Sequence, residues 1–175
     1  MTGYADPPWE YKAGRCLTPE SLLSGKNQKS YNYMSMNDIR NLPISDISAD
    51  NCLLFLWTTG PKLDEAFPVG FAWGFHYSTI GFVWEKQITN PGYCTLSSVE
   101  ICLIFKKGKI PEPRGARNIK QFLSEKRTKH SKKPDEIRKR IDLMFPKQNK
   151  VELFARENFP GWDVWGNEVE SDIQL

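Results

Sequence analysis

The sequence contains few residues of the types that bind metals or form disulfides. It has two histidines and four cysteines, and the cysteines lie far apart, at Cys16, Cys52, Cys94 and Cys102. Zinc sites usually draw on Cys or His pairs a few residues apart, and disulfide frameworks belong mainly to short secreted chains. We therefore expect no metal ion, and thiols that stay reduced in a cytosolic setting.

Long apolar runs, an export leader and a dinucleotide-binding fingerprint are also missing. No apolar stretch approaches the ~20 residues that cross a bilayer, and no basic-then-apolar leader opens the chain. No Gly-x-Gly-x-x-Gly motif occurs, which disfavours dinucleotide-dependent enzymes. These absences predict a cytoplasmic protein with no membrane partner.

The chain is long enough to form one domain with its own core. It has 175 residues, of which 39% are hydrophobic and 26% charged, and both fractions are ordinary for a globular protein. We expect a single domain over residues 1–175.

Positive charge is concentrated in one part of the chain. The net charge is only +3, yet fourteen of the 24 Lys and Arg residues fall between Lys106 and Arg140, against four acidic residues. Such clustering is typical of a surface that binds a polyanion, and nucleic acid is the favoured partner. The alternative is a solvated charged surface.

Predicted strands and helices alternate along the chain. Apolar and β-branched runs predict strands at Cys52–Thr58, Tyr77–Lys86, Val99–Lys106 and Lys150–Ala155, and a very short strand before Asp6. Helical signals predict helices from Ser35 to Asn41, from Gly60 to about Trp73 with interruptions at Pro68 and Gly70, around Ile119 to Glu125, and from Pro134 to Phe145. Mobile loops are expected at about 10–33 and 107–131. This order indicates an α/β domain with a mostly parallel sheet, which binds ligands beyond the carboxyl ends of its strands.

The stretch Asp6-Pro7-Pro8-Trp9 places a carboxylate, two prolines and an indole directly after the first strand. The prolines fix their own φ angles, lack N–H donors and keep their carbonyl acceptors. Asp6 and a proline carbonyl could thus accept hydrogen bonds from an amine on a planar ring, with Trp9 stacked on the ring face. A proline-rich turn with a core tryptophan is an equally weighted alternative.

Seven segments, taken in order, resemble a known family. They are the Asp-Pro-Pro-Trp stretch, Met34–Ile44, Leu53–Thr58, Phe82–Lys86, Lys133-Pro134-Asp135-Glu136, and the pair Glu152–Arg156 with Gly166-Asn167-Glu168. Together they resemble the adenine N6-methyltransferases typified by the catalytic subunit of the eukaryotic mRNA adenine methylase, a family with bacterial and phage members. The resemblance implies a Rossmann-like fold with helices on both faces of the sheet and a permuted, beta-class motif order, with the catalytic loop first and the cofactor strand last.

The resemblance also implies roles for individual residues. The expected catalytic residues are Asp6, Pro7, Pro8 and Trp9. The residues expected to bind S-adenosylmethionine are Ala5, Asp6, Lys133, Phe154, Arg156, Asn158, Asn167 and Glu168. For the substrate, the aromatic and basic residues of the two loops predict contacts from Tyr11, Tyr31, Lys107, Arg114 and Arg117, and the resemblance adds Trp84. Glu100 also matches a family position near the active centre, although a buried structural role is as well supported for it and for Trp84.

The implied activity is methyl transfer from S-adenosylmethionine to the N6 amine of adenine. No added zinc-finger or helical module is present, which favours an enzyme of a bacterial cell or a phage-infected host, with DNA as substrate. RNA is the alternative within the class. A catalytically silent nucleic-acid-binding subunit, or a methylase of small molecules or proteins, are the rivals from other classes, and a homodimer is left open.

Overall fold

The computed structural model describes residues 1–10, 33–91, 94–128 and 132–175. Its seven strands are β1 (Thr2–Ala5), β2 (Cys52–Thr58), β3 (His76–Pro91), β4 (Leu96–Lys107), β5 (Phe122–Ser124), β6 (Lys150–Leu153) and β7 (Asp163–Trp165). Its helices are α1 (Met36–Asn41), α2 (Ile44–Ile47), α3 (Leu63–Ala72) and α4 (Asp135–Met144), with a 3-10 turn at Gly60–Lys62 before α3. The predicted mobile loop at 10–33, with Tyr11 and Tyr31, lies almost entirely outside the described residues.

The strands form one sheet in the order β5-β3-β4-β2-β1-β6-β7. Strand β1 is parallel to β2 and β6, β6 is parallel to β7, and β3 is parallel to β5. Strand β4 runs antiparallel to both β2 and β3. The predicted mostly parallel α/β sheet is confirmed, and β4 is the strand that departs from it. We call the edge where β1, β2 and β6 end the carboxyl edge, and the opposite one the amino edge.

Helices cover both faces of the sheet, as predicted. On one face Ile39, Ile44 and Trp73 pack from α1, α2 and the end of α3. On the other face Ile137 and Ile141 pack from α4. Every residue of β1 and β2 is buried, because these central strands have covered faces on both sides, and their apolar runs are therefore continuous rather than alternating.

Local sequence accounts for the helices that surround the site. Ser35 caps α1 by accepting a hydrogen bond from the backbone N–H of Asp38, at 3.1 Å. Pro68 and Gly70 were expected to interrupt α3, but the helix continues through both. Gly70 is required there because a Cβ would overlap the ring of Phe105 on the underlying strand β4. No helix in the described ranges has the length and apolar character needed to cross a membrane.

The helix predicted around Ile119 to Glu125 is wrong. Residues Phe122–Ser124 form β5, which extends the sheet beside β3. The backbone N–H of Val83 donates to Gln121 at 3.1 Å, and that of Glu125 donates to Glu85 at 3.1 Å. The segment is a strand because it completes the hydrogen bonds of β3, a tertiary effect that outweighs local propensity.

Candidate active site

The carboxyl edge brings the two ends of the chain together. Ala5 ends β1 and pairs in register with Leu153, which ends β6. Asp6 therefore lies beside the residues that follow β6. Lys133 lies just before α4 and reaches the same point. Its Nζ donates to Oδ2 of Asp6 at 2.6 Å, which joins positions 127 residues apart. The early carboxylate and the late lysine motif therefore lie side by side in the fold.

A second carboxylate extends this contact into a row of charges. Nζ of Lys133 lies 3.2 Å from Oε2 of Glu100, and Nζ of Lys86 lies 3.4 Å from Oε1 of the same residue. Glu100 sits on β4 opposite Trp84 of β3, one residue beyond the pairing of β4 with the end of β2. The side chains of Lys133 and Lys86 are each only 8% exposed, so these ion pairs are poorly screened by water.

Burial and charge separate the pKa values of the two carboxyl groups. Burial raises the pKa of Asp6, and the neighbouring ammonium of Lys133 offsets this only in part. Burial alone would raise the pKa of Glu100 as well, but Lys133 and Lys86 together hold that pKa below its usual range. Burial would lower the pKa of Lys133, whereas the carboxylates of Asp6 and Glu100 raise it. Lys133 is therefore held as a cation, also 5.5 Å from the centroid of the Trp57 ring.

The prolines and the tryptophan of the first motif make hydrogen bonds to other residues of the protein. The indole of Trp9 is 4% exposed, and its N–H donates to the carbonyl of Trp57 at 3.1 Å. The expected stacking of Trp9 on a substrate ring is therefore wrong in this structure, and the core-tryptophan reading is right, because the ring is enclosed. The carbonyls of Pro7 and Pro8 accept from Trp9 at 2.8 Å and from Met34 at 3.2 Å, and each keeps a second lone pair.

The residues expected to bind the cofactor gather where β6 and β7 end. Nε of Arg156 lies 3.7 Å from Oε1 of Glu168, and Asn158 and Asn167 are exposed nearby in the chain. The turn before Asn167 lies close against the end of β6, because a Cβ at Gly166 would overlap the backbone of Ala155. These polar groups follow strands that end at the same edge as β1, where Asp6 lies.

Two other expected cofactor residues, Ala5 and Phe154, are packed against other parts of the protein. Ala5 is fully buried within the sheet. Phe154 has a φ of 62°, which lies in the left-handed region, and its ring packs at 5.4 Å from the ring of Trp165 and 6.5 Å from that of Trp73. The unusual backbone at Phe154 turns the chain at the end of β6, directly before Arg156. Both residues shape the edge that carries the polar groups.

Three of the residues expected to contact substrate lie at the wrong edge. Lys107 pairs with Cys52, the first residue of β2, and its Nζ donates to Ser48 at 2.8 Å. Arg114 lies over the ring of Phe145, just after α4, at 5.7 Å. Arg117 is exposed beside Glu112 in the same segment. Lys107 ends β4, and Arg114 and Arg117 follow it. Because β4 is antiparallel to β2, it ends at the amino edge, so these three residues do not share a surface with Asp6.

Trp84 lies near the site but does not present a free face. Its ring is 2% exposed, its N–H donates to the carbonyl of Glu125 at 2.8 Å, and its edge meets Trp57 at a centroid distance of 6.5 Å. It supports the site from within the core. Contact with substrate is therefore not available to it in this structure.

Sequence reasoning missed two lysines that contribute to the site. Lys86 follows Trp84 by two residues on the same strand, so the two side chains share a face, and this alternation could have identified it. Lys132 bridges Glu157 at 2.6 Å and Asp135 at 3.1 Å, which ties the loop after β6 to the start of α4. The described residues contain no group of three or more Cys, His, Asp or Glu side chains placed to hold a metal ion.

Comparison with known proteins identifies the family. The MT-A70 family model matches residues 4–168, nearly the whole chain, and covers every residue of the charged row and the edge around it. The chain belongs to the MT-A70 family. This membership confirms the resemblance found in the sequence and fits the observed sheet.

Individual relatives of this MT-A70 chain differ in how much of their length it covers. It is 45% identical over 95% of its residues to the Type II methyltransferase M.MunI of a Mycoplasma species, and spans 76% of that protein. It is 28% identical to the N(6)-adenine-specific methyltransferase METTL4 of Homo sapiens, of which it spans 36%. It is also 28% identical to the N(6)-adenosine-methyltransferase MT-A70-like protein of Arabidopsis thaliana, of which it spans 23%.

Proposed function

We propose that this MT-A70 chain transfers a methyl group from S-adenosylmethionine to the N6 amine of adenine in DNA. The observation that carries the proposal is the contact between Asp6 and Lys133, at 2.6 Å, which joins the first motif and the lysine motif at the carboxyl edge. The carboxylate of Asp6, which suits the adenine amine, and the cation of Lys133, which suits the cofactor carboxylate, then lie side by side, as the reaction requires.

The residues at the donor side fit S-adenosylmethionine by their chemistry. Lys133 provides a buried cation for the methionine carboxylate, and Arg156 provides a second cation beyond the end of β6. Asn167 and Glu168 offer an amide and a carboxylate suited to ribose hydroxyls. When bound, the cofactor supplies the methyl group on a positively charged sulfonium. The protein residues hold it against Asp6, and alignment of this kind provides much of the rate.

Asp6 is suited to hold the acceptor amine. Lys133 engages its Oδ2, which leaves Oδ1 to accept a hydrogen bond from the exocyclic amine. That amine is a poor nucleophile because its lone pair is delocalised into the ring, and acceptors at Asp6 and a proline carbonyl favour a pyramidal nitrogen. No strong base is needed first, since the amine becomes acidic only once it is methylated. The raised pKa of Asp6 then makes its carboxylate a better acceptor for that proton.

DNA is favoured over RNA by the pattern of similarity. The identity with the Mycoplasma Type II methyltransferase is 45%, whereas the Arabidopsis protein, whose name specifies adenosine, is 28% identical. If the substrate is a duplex, the adenine must leave the stack to reach Asp6, at a cost of a few kcal/mol.

The test is incubation with labelled S-adenosylmethionine and separate DNA and RNA pools, followed by nucleoside analysis. We expect labelled N6-methyladenine in DNA, and Asp6→Asn should lower turnover about 100-fold or more, since it removes the proton acceptor. The matched control is Asp46→Asn, an exposed change on α2 toward the amino edge. Label in RNA alone would replace DNA as substrate, and unchanged turnover in Asp6→Asn would reject the catalytic role.

A further inference from the structure

The segment that follows β5 carries positive charge to the carboxyl edge. Because β5 is parallel to β3, residues 125–128 continue along β3 toward the edge where Asp6 lies. Two of these residues are Lys126, which is exposed, and Arg127, which is half-buried. We call this pair the β5 extension. It belongs to the basic part of the sequence, yet it lies at the edge opposite to Lys107, Arg114 and Arg117.

Hydrogen bonds on both sides of the β5 extension hold it in place. Arg127 donates its backbone N–H to the carbonyl of Lys86 at 3.2 Å, and the carbonyl of Glu125 accepts from the Trp84 indole at 2.8 Å. Ser124 donates to the carboxylate of Glu85 at 2.6 Å. These contacts fix the backbone before any ligand binds, so binding does not have to order the segment that carries the two cations.

The β5 extension lies close to the charged row of the site. The backbone of Lys86 contacts Arg127, and the side chain of Lys86 contacts Glu100, which in turn contacts Lys133. Asp6 is one contact further along. A strand whose adenine reaches Asp6 therefore brings its neighbouring phosphates within reach of this segment.

The charges of the β5 extension are also not neutralised by other described residues. Within the described ranges neither Lys126 nor Arg127 has a carboxylate within ion-pair distance. Lys132 and Lys62 provide the contrast, since they pair with Glu157 at 2.6 Å and with Glu65 at 2.9 Å. Cations without an internal partner can neutralise phosphates, and this releases the counterions that are condensed on the polyanion.

We propose that Lys126 and Arg127 bind the phosphate backbone of the strand that carries the target adenine, and so position it at Asp6. This inference rests on the proposed function. It replaces the substrate contacts that the sequence predicted for Lys107, Arg114 and Arg117. The cations of the amino edge lie about 20 Å away, the length of the seven-residue strand β2. They are too distant to contact the phosphates next to the same adenine.

The test compares two double variants that remove the same charge. Lys126→Gln with Arg127→Gln removes the β5 extension. Lys109→Gln with Lys147→Gln is the control, since both lysines are exposed at the amino edge. For each protein we would measure binding of an adenine-containing DNA oligonucleotide over a range of NaCl concentrations, together with acceptor KM and kcat. Unfolding curves verify that both variants fold.

We expect the β5-extension variant to lose between one and two units of the salt slope of log K, at about 0.7–0.9 per phosphate contact. Its acceptor KM should rise about tenfold or more at physiological salt, while kcat at saturation and donor affinity stay close to those of the unmodified protein. Lys126→Arg with Arg127→Lys keeps both charges and should restore binding. The control should match the unmodified protein.

Two results would overturn the inference. An unchanged salt slope in the β5-extension variant would show that it makes no phosphate contact. A reduced slope in the Lys109 and Lys147 control alone would place the polynucleotide across the amino edge. Failure of the unmodified protein to methylate any polynucleotide would reject the proposed function instead, and the binding slopes would still decide the role of this segment.

Discussion

Lys133 has two carboxylate neighbours, and their different environments give them different roles. Glu100 contacts both Lys133 and Lys86, and these cations keep its pKa low, so it stays ionised and holds the lysines in place. Asp6 contacts Lys133 through one oxygen, and burial raises its pKa. Carboxyl groups whose pKa values are driven apart commonly divide electrostatic and proton-accepting roles between them. The proposed reaction accordingly assigns proton acceptance to Asp6 and the positioning of the two lysines to Glu100.

The role of Glu100 predicts a stability change that depends on pH. Glu100→Gln leaves the buried ammonium of Lys86 without a carboxylate partner among the described residues and leaves that of Lys133 with Asp6 alone, and should lower the free energy of unfolding by about 3 kcal/mol at pH 7. Because the folded pKa of Glu100 is lowered, its ionised form contributes stability above the ordinary carboxyl pKa of about 4.3, and this contribution is lost as the pH falls through the lower folded pKa. The difference from the unmodified protein should therefore shrink below about pH 4.

Urea unfolding at several pH values measures this effect. Glu170→Gln, an exposed change near the end of the chain, is the control and should leave the unfolding free energy nearly unchanged. A loss of equal size at pH 7 and pH 3.5 would mean that the ionised carboxylate of Glu100 is not the source of the stability.

At the residue scale, motifs indicated candidate site residues better than they indicated which neighbouring side chains are buried. Asp6 and Lys133, whose side chains meet in the structure, were singled out because each belongs to a short motif that resembles the family. The enclosure of Trp9 could not, because an indole serves a core and a stacking surface equally well, and only the hydrogen bond to Trp57 decides between them. Lys86 was missed because a buried lysine depends on a partner, Glu100, that lies fourteen residues away on another strand.

At the scale of elements, an ion pair fixes α4 against the sheet and so positions Lys133. Nε and Nη2 of Arg138 donate to the two carboxylate oxygens of Glu152 at 2.7 and 2.6 Å, and the two side chains are 5% and 6% exposed. The guanidinium also lies 5.4 Å from the ring centroid of Tyr4. Because α4 begins two residues after Lys133, this pair links the helix to the β6 strand beside Asp6.

Removing one partner of this pair should be costly. Arg138→Met leaves the carboxylate of Glu152 buried and unpaired, and we expect it to lower the unfolding free energy by about 3–5 kcal/mol. Combining it with Glu152→Met removes the stranded charge and should recover most of the loss. Denaturant unfolding measures both, with Lys139→Met on the exposed side of α4 as the control. A double variant no more stable than Arg138→Met would show that packing, and not charge, accounts for the loss.

The direction of a single strand explains the largest error in the sequence-based prediction. The basic segment after β4 was expected to contact the substrate because its positive charge is clustered, and ligands of such sheets bind beyond the carboxyl ends of the parallel strands. Composition predicted that Val99–Lys106 is a strand, but it carries no signal for direction, and the antiparallel pairing of β4 with β2 sends the chain to the amino edge. The β5 strand was mistaken for a helix for a similar reason, since its partner β3 lies about forty residues away.

At the scale of the whole molecule, the order of the strands determines where chemistry can occur. Strand β1 lies inside the sheet between β2 and β6, so the first carboxylate of the chain is placed between residues contributed by its middle and its end. Asp6, Glu100 and Lys133 come from three different parts of the sequence and meet only when all these strands pair. A ligand held by these groups should therefore stabilise the fold as a unit.

This coupling predicts a ligand-dependent thermal shift. S-Adenosylhomocysteine, the demethylated form of the cofactor, at about 100 times its Kd should add about 2.7 kcal/mol to the free energy of unfolding, which corresponds to roughly 5–10 °C in Tm for a domain of this size. Lys133→Met should abolish most of the shift, because the carboxylate of the ligand loses its buried cation. Lys133→Arg keeps the charge and should retain part of it, and Lys139→Met, exposed on α4, should shift as the unmodified protein does. Each variant is compared with its own unliganded Tm, so a lower starting stability does not affect the result. An equal shift in Lys133→Met would mean that the ligand binds elsewhere. The contact between Asp6 and Lys133 would then stabilise the fold without binding the methyl donor.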